Sequence, residues 1–155
     1  MRIQSSAFED GARIPERYTG DGDDVSPPLS IQDLPEGTAS IALIVDDPDA
    51  PRGTWVHWLI WGIPADRPEL PEGVPADGLV EELAGARQGK NDFDQIGYGG
   101  AAPPPGHGTH HYRFTAYALS EHIDLDAGAT RNALETRLDD VTLETATLTG
   151  TYSRD

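Results

Sequence analysis

Cysteine is absent from the 155-residue chain, lysine occurs once, at Lys90, and methionine once, at Met1. Without cysteine there is no disulfide framework and no thiolate metal site, and no redox signature of a compartment. Basic residues are scarce: 11 Lys plus Arg stand against 27 Asp plus Glu, a formal net charge of −16. Such a field repels nucleic-acid phosphates and anionic lipid surfaces, so neither nucleic-acid binding nor stable membrane association is expected. The acidic residues are dispersed over turns instead of forming one tail. That pattern reads as a solvated, halophilic surface and only secondarily as a site for a basic partner. At the N-terminus, MRIQSSAFEDGARIP has no basic patch leading into an apolar run and is not a secretory signal. The longest apolar stretch, residues 55 to 63, is too short to cross a bilayer and contains His57. A soluble, cytoplasmic protein is the expectation.

The length suits one domain spanning residues 1–155, and there is no internal repeat or low-complexity segment. Proline and glycine, scattered throughout, cut the chain into short pieces, as an all-β sandwich requires. Strand-like apolar runs occur at 40–46, 54–63 and 111–119, with weaker ones at 28–31 and 146–152. Within 54–63, Trp55, Leu59, Trp61 and Ile63 alternate with Val56, Trp58 and Ile60, so both faces are apolar and the strand is expected to be central. One C-terminal helix is predicted, with Thr130 as N-cap and Leu134, Leu138 and Val141 on its apolar face. A shorter helical turn fits 79–87, and the rest of 64–110 reads as irregular, a length that usually carries function.

Two stretches hold the chemistry. In GHGTHHYRF, strand alternation puts His110, Tyr112, Phe114 and Ala116 on one face and His111 and Arg113 on the other, with His107 in the preceding loop. In DDPDAPRGTWVHW, His57 shares a face with Trp55 and Leu59, and a buried imidazole there needs partners for both nitrogens. Asp46, Asp47 and Asp49 are the carboxylates nearest in sequence. The bonds Asp47–Pro48 and Ala50–Pro51 stiffen the turn and are the best candidates for cis peptides. Singly, each of these residues is more often structural than functional. Together they make a site only if the two segments are neighbours.

SPPLS (26–30), DDPDAP (46–51), VHW (56–58), YGG…PPPG (98–106) and HHYRFTAYAL (110–119) occur in an order and spacing that resemble the phosphatidylethanolamine-binding proteins, also called Raf-kinase-inhibitor-like proteins. The likeness runs from about Phe8 to Tyr152 and is similar to the compact bacterial and archaeal branch. It implies a mostly β fold, an antiparallel two-sheet β-sandwich with one C-terminal helix, short peripheral helices and a small anion pocket at one end. Carried over by motif, the pocket residues are Asp47, His57, His110, Tyr112, Gly100, Pro103 and Pro104, with Trp55 as an aromatic wall. Two departures stand out: His111 replaces the family's arginine between the histidine and tyrosine, and Ala101-Ala102 precede the proline pair.

These readings point to a non-catalytic binding protein for a small anionic ligand, phosphate or phosphoethanolamine-like. No lysine or arginine lies in the pocket motifs, so imidazole, phenol and backbone N–H groups would hold the anion. Asp47 is expected to fix one histidine's tautomer and leave its other nitrogen for the ligand, binding tightening as pH falls. No cofactor is expected. A kinase or peptidase partner and a homodimer are implied by resemblance alone. The alternative is a metal-dependent hydrolase built from His107, His110, His57 and Asp47, although His107 and His110 straddle a glycine-containing bend instead of one helical turn.

Overall fold

The computed structural model describes residues 1–155. Its strands are β1 (Arg2–Gln4), β2 (Leu29–Gln32), β3 (Ser40–Asp47), β4 (Trp55–Pro64), β5 (Glu69–Leu70), β6 (Leu79–Val80), β7 (Ala86–Gln88), β8 (His110–Leu119) and β9 (Thr142–Tyr152). A single α-helix, α1 (Arg131–Leu138), precedes the last strand, and 3-10 turns occupy Glu16–Tyr18 and Glu81–Leu83. The strands form a three-stranded sheet, β1-β2-β5, and a six-stranded sheet, β6-β7-β4-β3-β8-β9, with antiparallel pairing throughout. The expected two-sheet sandwich with a C-terminal helix is what the chain adopts.

The central strands explain why their sequences lack polar alternation. All eight residues of β3 are buried. Ile41, Leu43 and Val45 face the inter-sheet core with Trp58, Ile60, Phe114 and Leu148. Ala42 and Ile44 face a second cluster with Leu59, Trp61, Leu134 and Leu138 of α1. A sheet covered on one side by a second sheet and on the other by a helix buries both faces, at about 25 cal/mol per Å² of apolar area. Thr130 caps α1, accepting the Ala133 N–H at 3.4 Å, as expected.

Strict alternation fails within β4. Trp58 and Ile60 lie on the inter-sheet side with Ile63, whereas Val56, Leu59 and Trp61 lie under the helix. Two register breaks cause this: β3 pairs Val45 with Trp58 but Asp46 with Val56, and Ile41 with Ile63 but Leu43 with Ile60. Each extra residue reverses the faces downstream. His57 therefore does not share a face with Leu59; the bulge at His57 turns it toward the inter-sheet end. Other expectations also change. Residues 79–87 hold the expected helical turn only as the 3-10 turn at Glu81–Leu83, flanked by two short strands. Residues 64–110 contain β5, β6 and β7. No peptide bond is cis, so Asp47–Pro48 and Ala50–Pro51 are both trans.

Candidate binding site

At one end of the sandwich, β3, β4 and β8 meet loops 48–54 and 89–109 around a cavity of about 200 Å³. Asp46 and Asp47 show how adjacent carboxylates reach different environments. Following the alternation of β3, Asp46 points to the helix side, where Arg113 binds it at 2.8 and 2.9 Å and Arg131 at 2.9 Å. Asp47 points to the opposite side and lines the cavity. Its Oδ1 accepts the Asp49 N–H at 2.8 Å, and its Oδ2 accepts Nδ1–H of His110 at 2.6 Å. Asp49 in turn receives both the backbone N–H and Nδ1–H of the exposed His111, each at 2.8 Å. Those bonds, the side-chain one above all, hold Asp49 below the usual carboxylate range.

The second nitrogen of His110 is also engaged. Nε2 lies 2.6 Å from Nδ1 of His107, an exposed residue of the Gly106–Gly108 bend. A ring whose Nδ1 hydrogen is committed to Asp47 offers Nε2 as an acceptor, and His107 Nδ1–H fills it. The expectation that the Asp47-bound histidine presents its other nitrogen to a ligand is thus corrected: in His110 that nitrogen faces His107.

His57 is held differently. Its partner is the Gly99 carbonyl, 2.6 Å from Nδ1, and not a carboxylate. Gly99 N–H returns a bond to the His57 carbonyl at 2.9 Å, pairing the loop to β4. A carbonyl only accepts, so Nδ1 carries the hydrogen and Nε2 keeps its lone pair. Nε2 has no protein partner and is not among the fully enclosed polar atoms, so it opens to the cavity that His57 lines. Burial lowers the His57 pKa, outweighing the Gly99 bond and the Asp47 charge, which raise it.

Tyr112 completes the set. It is 2% exposed, lies edge-on to His57 with ring centroids 5.2 Å apart, and its hydroxyl is the one buried side-chain polar atom without a hydrogen-bond partner. Desolvation, reinforced by Asp47, pushes its ionisation well above the usual phenol range, so the hydroxyl keeps its proton.

The mouth is apolar. Trp55, 37% exposed, and Phe93 pack edge-on at 5.5 Å, and Pro51, Ala102, Pro103 and Pro104 complete the wall. Neither Ala101 nor Ala102 has positive φ, so alanine is compatible with this rim. No lysine or arginine lines the cavity.

Asp47, Trp55, His57, Pro103, Pro104, His110 and Tyr112 therefore converge on one place. Gly100 does not. Its N–H donates to Asp24 at 2.8 Å behind the cavity, where a Cβ would lie 2.9 Å from Thr19 Cα. The glycine serves a close backbone approach instead of ligand contact. Sequence reasoning missed Phe93, and Gly99 as the partner of His57. Their loop is organised by Asn91, whose Oδ1 accepts the N–H groups of Phe93 and Gln95 at 2.9 and 3.2 Å and whose Nδ2 donates to Gly97. The Asn-Asp step at 91–92 was the available turn signal. As for a metal centre, no group of three or more His, Asp or Glu side chains is disposed as a ligand set.

Comparison with known proteins agrees with the motif order. The family model described as phosphatidylethanolamine-binding protein matches residues 4–153. A UPF0098 protein of Aquifex aeolicus is 46% identical, covering 100% of this chain and 90% of the relative. A UPF0098 protein of Pyrococcus abyssi is 47% identical, with 97% and 84% covered. Among solved structures, Escherichia coli YbcL, described as a new member of the mammalian PEBP family, superposes with a TM-score of 0.92 at 34% identity, covering 99% of this chain and 98% of its own.

Proposed function

The chain belongs to the phosphatidylethanolamine-binding protein family, and we propose that its cavity is a non-catalytic binding site for a single phosphate-type group. The observation that carries this reading is Tyr112, which lines the cavity and whose buried, protonated hydroxyl has no protein partner. A buried polar group left unsatisfied costs about 1–3 kcal/mol, and a ligand oxygen removes that penalty. At about 200 Å³ the cavity falls below the roughly 300–1,000 Å³ of drug-sized sites, which suits one head group and not a whole lipid. Binding is favoured over nucleophilic catalysis because Ser, Thr, Cys and Lys are absent from the lining and both oxygens of Asp47 are already engaged.

Calorimetric titration with inorganic phosphate, O-phosphoethanolamine and lysophosphatidylethanolamine tests the reading and separates free phosphate from a lipid source. Saturable one-to-one binding of at least one of them, reported by Trp55 fluorescence, is the expected result. Absence of binding by all three at millimolar concentration refutes it.

A further inference from the structure

The cavity offers a ligand two unequal polar groups. Tyr112 lines the cavity and holds a buried O–H with no protein partner, a donor. His57 presents the Nε2 lone pair, because the Gly99 carbonyl takes the Nδ1 hydrogen at 2.6 Å. An oxyanion without hydrogen satisfies the first and collides electrostatically with the second. The groups facing His57 do not reverse this polarity. From β3 comes the Asp47 carboxylate, from β8 the Tyr112 phenol edge-on at 5.2 Å, and from the loop the Phe93 ring at 5.3 Å, with Asp46 and Asp24 acting at longer range. The imidazole of His110, 2% exposed, has both nitrogens occupied by Asp47 and His107. No cationic side chain lines the cavity, and the chain carries a net charge of −16.

Resting on the reading of the cavity as a phosphate-type site, we propose that it selects the oxyanion that still carries a proton. The monoanion of a phosphate monoester donates its P–O–H to Nε2 of His57 and accepts the Tyr112 hydroxyl on a charged oxygen. A dianion has no hydrogen for Nε2 and brings a second negative charge into a site whose lining holds no cation; Arg154, bonded to the Pro103 carbonyl at 3.4 Å, is already paired with Asp21 at 2.8 Å. The His57–Gly99 pair is therefore the specificity element, and Gly99 acts through His57 as a positioning residue.

Isosteric ligands test this on the unmodified protein. Methyl phosphate below its second ionisation and methyl sulfate share shape and charge and differ in one proton. At about pH 5, methyl phosphate is expected to bind roughly tenfold or more tightly than methyl sulfate, because an unpaired buried acceptor penalises the analogue lacking a donor. On raising the pH, methyl phosphate affinity should fall as the ligand loses its second proton, near pH 6 for phosphate monoesters. With methylphosphonate, whose second ionisation lies higher, the midpoint of that fall should move up with the ligand. Equal binding of methyl phosphate and methyl sulfate overturns the inference, as does one midpoint for both phosphorus ligands, which would mark a titrating histidine. Either result leaves the phosphate reading standing. Failure of every ligand to bind sinks that reading and the inference with it.

Discussion

Replacing Tyr112 by phenylalanine separates two consequences of an unpartnered hydroxyl that point in opposite directions. In the ligand-free protein the substitution removes no protein hydrogen bond and keeps the ring that packs on His57 at 5.2 Å. What it removes is a desolvated polar group worth a penalty of about 1–3 kcal/mol, only partly recovered because phenylalanine leaves the space of the oxygen unfilled. A gain of about 0.5–1 kcal/mol in unfolding free energy is expected, or roughly 2–4 °C in Tm for a gain of about 1 kcal/mol in a domain of this size. Binding should move the other way. A hydrogen bond to a charged group contributes about 1.5–3 kcal/mol, so phosphate affinity is expected to drop roughly 10- to 150-fold. Urea denaturation without ligand and calorimetric titration with phosphate give the two numbers on the same preparation. A variant destabilised by more than about 1 kcal/mol would show that the hydroxyl has a structural role. Unchanged affinity would show that it does not touch the ligand.

Three further outcomes follow from the same geometry. Burial depresses the His57 pKa below 6.5, so the unfolded chain protonates first; stability is full above about 6.5 and declines as pH falls toward the folded value. Urea midpoints between pH 7.5 and 5 should show that decline in the wild type and a shallower one in His57→Gln. Asp46→Asn removes the charge that Arg113 and Arg131 share; because Arg113 is 43% exposed and partly solvated, the expected loss is about 2 kcal/mol, below the 3–5 of a fully buried pair, read as a shift in denaturation midpoint. Gly99→Ala would place a Cβ 2.5 and 2.7 Å from the Phe93 ring, so it should cost about 1–3 kcal/mol, displace that ring and alter Trp55 fluorescence; an unchanged spectrum and stability would contradict the packing described.

Most of the fold was legible because its strongest signals are local. The apolar runs at 40–46 and 111–119 become β3 and β8, and Thr130 with Leu134 and Leu138 becomes a capped helix on the sheet. Alternation along β8 correctly separates His110 and Tyr112 from His111 and Arg113, since β8 pairs β3 without interruption from Ser40–Leu119 to Asp46–Arg113. The same reasoning misplaced the residues of β4 because bulges carry no reliable local signature; their positions depend on which partner residue is skipped. Strands β5, β6 and β7, of two or three residues each, are too short to show a period and exist through their neighbours. The surroundings of His57 were invisible for a related reason. Phe93 and Gly99 reach His57 only after Asn91 has folded its loop, and no spacing in the sequence reports that contact.

The two cavity histidines show how an acceptor decides what an imidazole can do. A carboxylate and a neighbouring ring occupy both nitrogens of His110, which makes it a fixed part of the wall. A neutral carbonyl fixes only one nitrogen of His57, and burial keeps the ring from gaining a second proton. From sequence, His110 is the more conspicuous of the two, standing in a cluster ahead of a tyrosine. In the folded chain the less conspicuous His57 holds the unspent lone pair. The chemistry of the cavity is therefore set as much by Gly99, through a main-chain oxygen that no side-chain motif records, as by the histidines themselves.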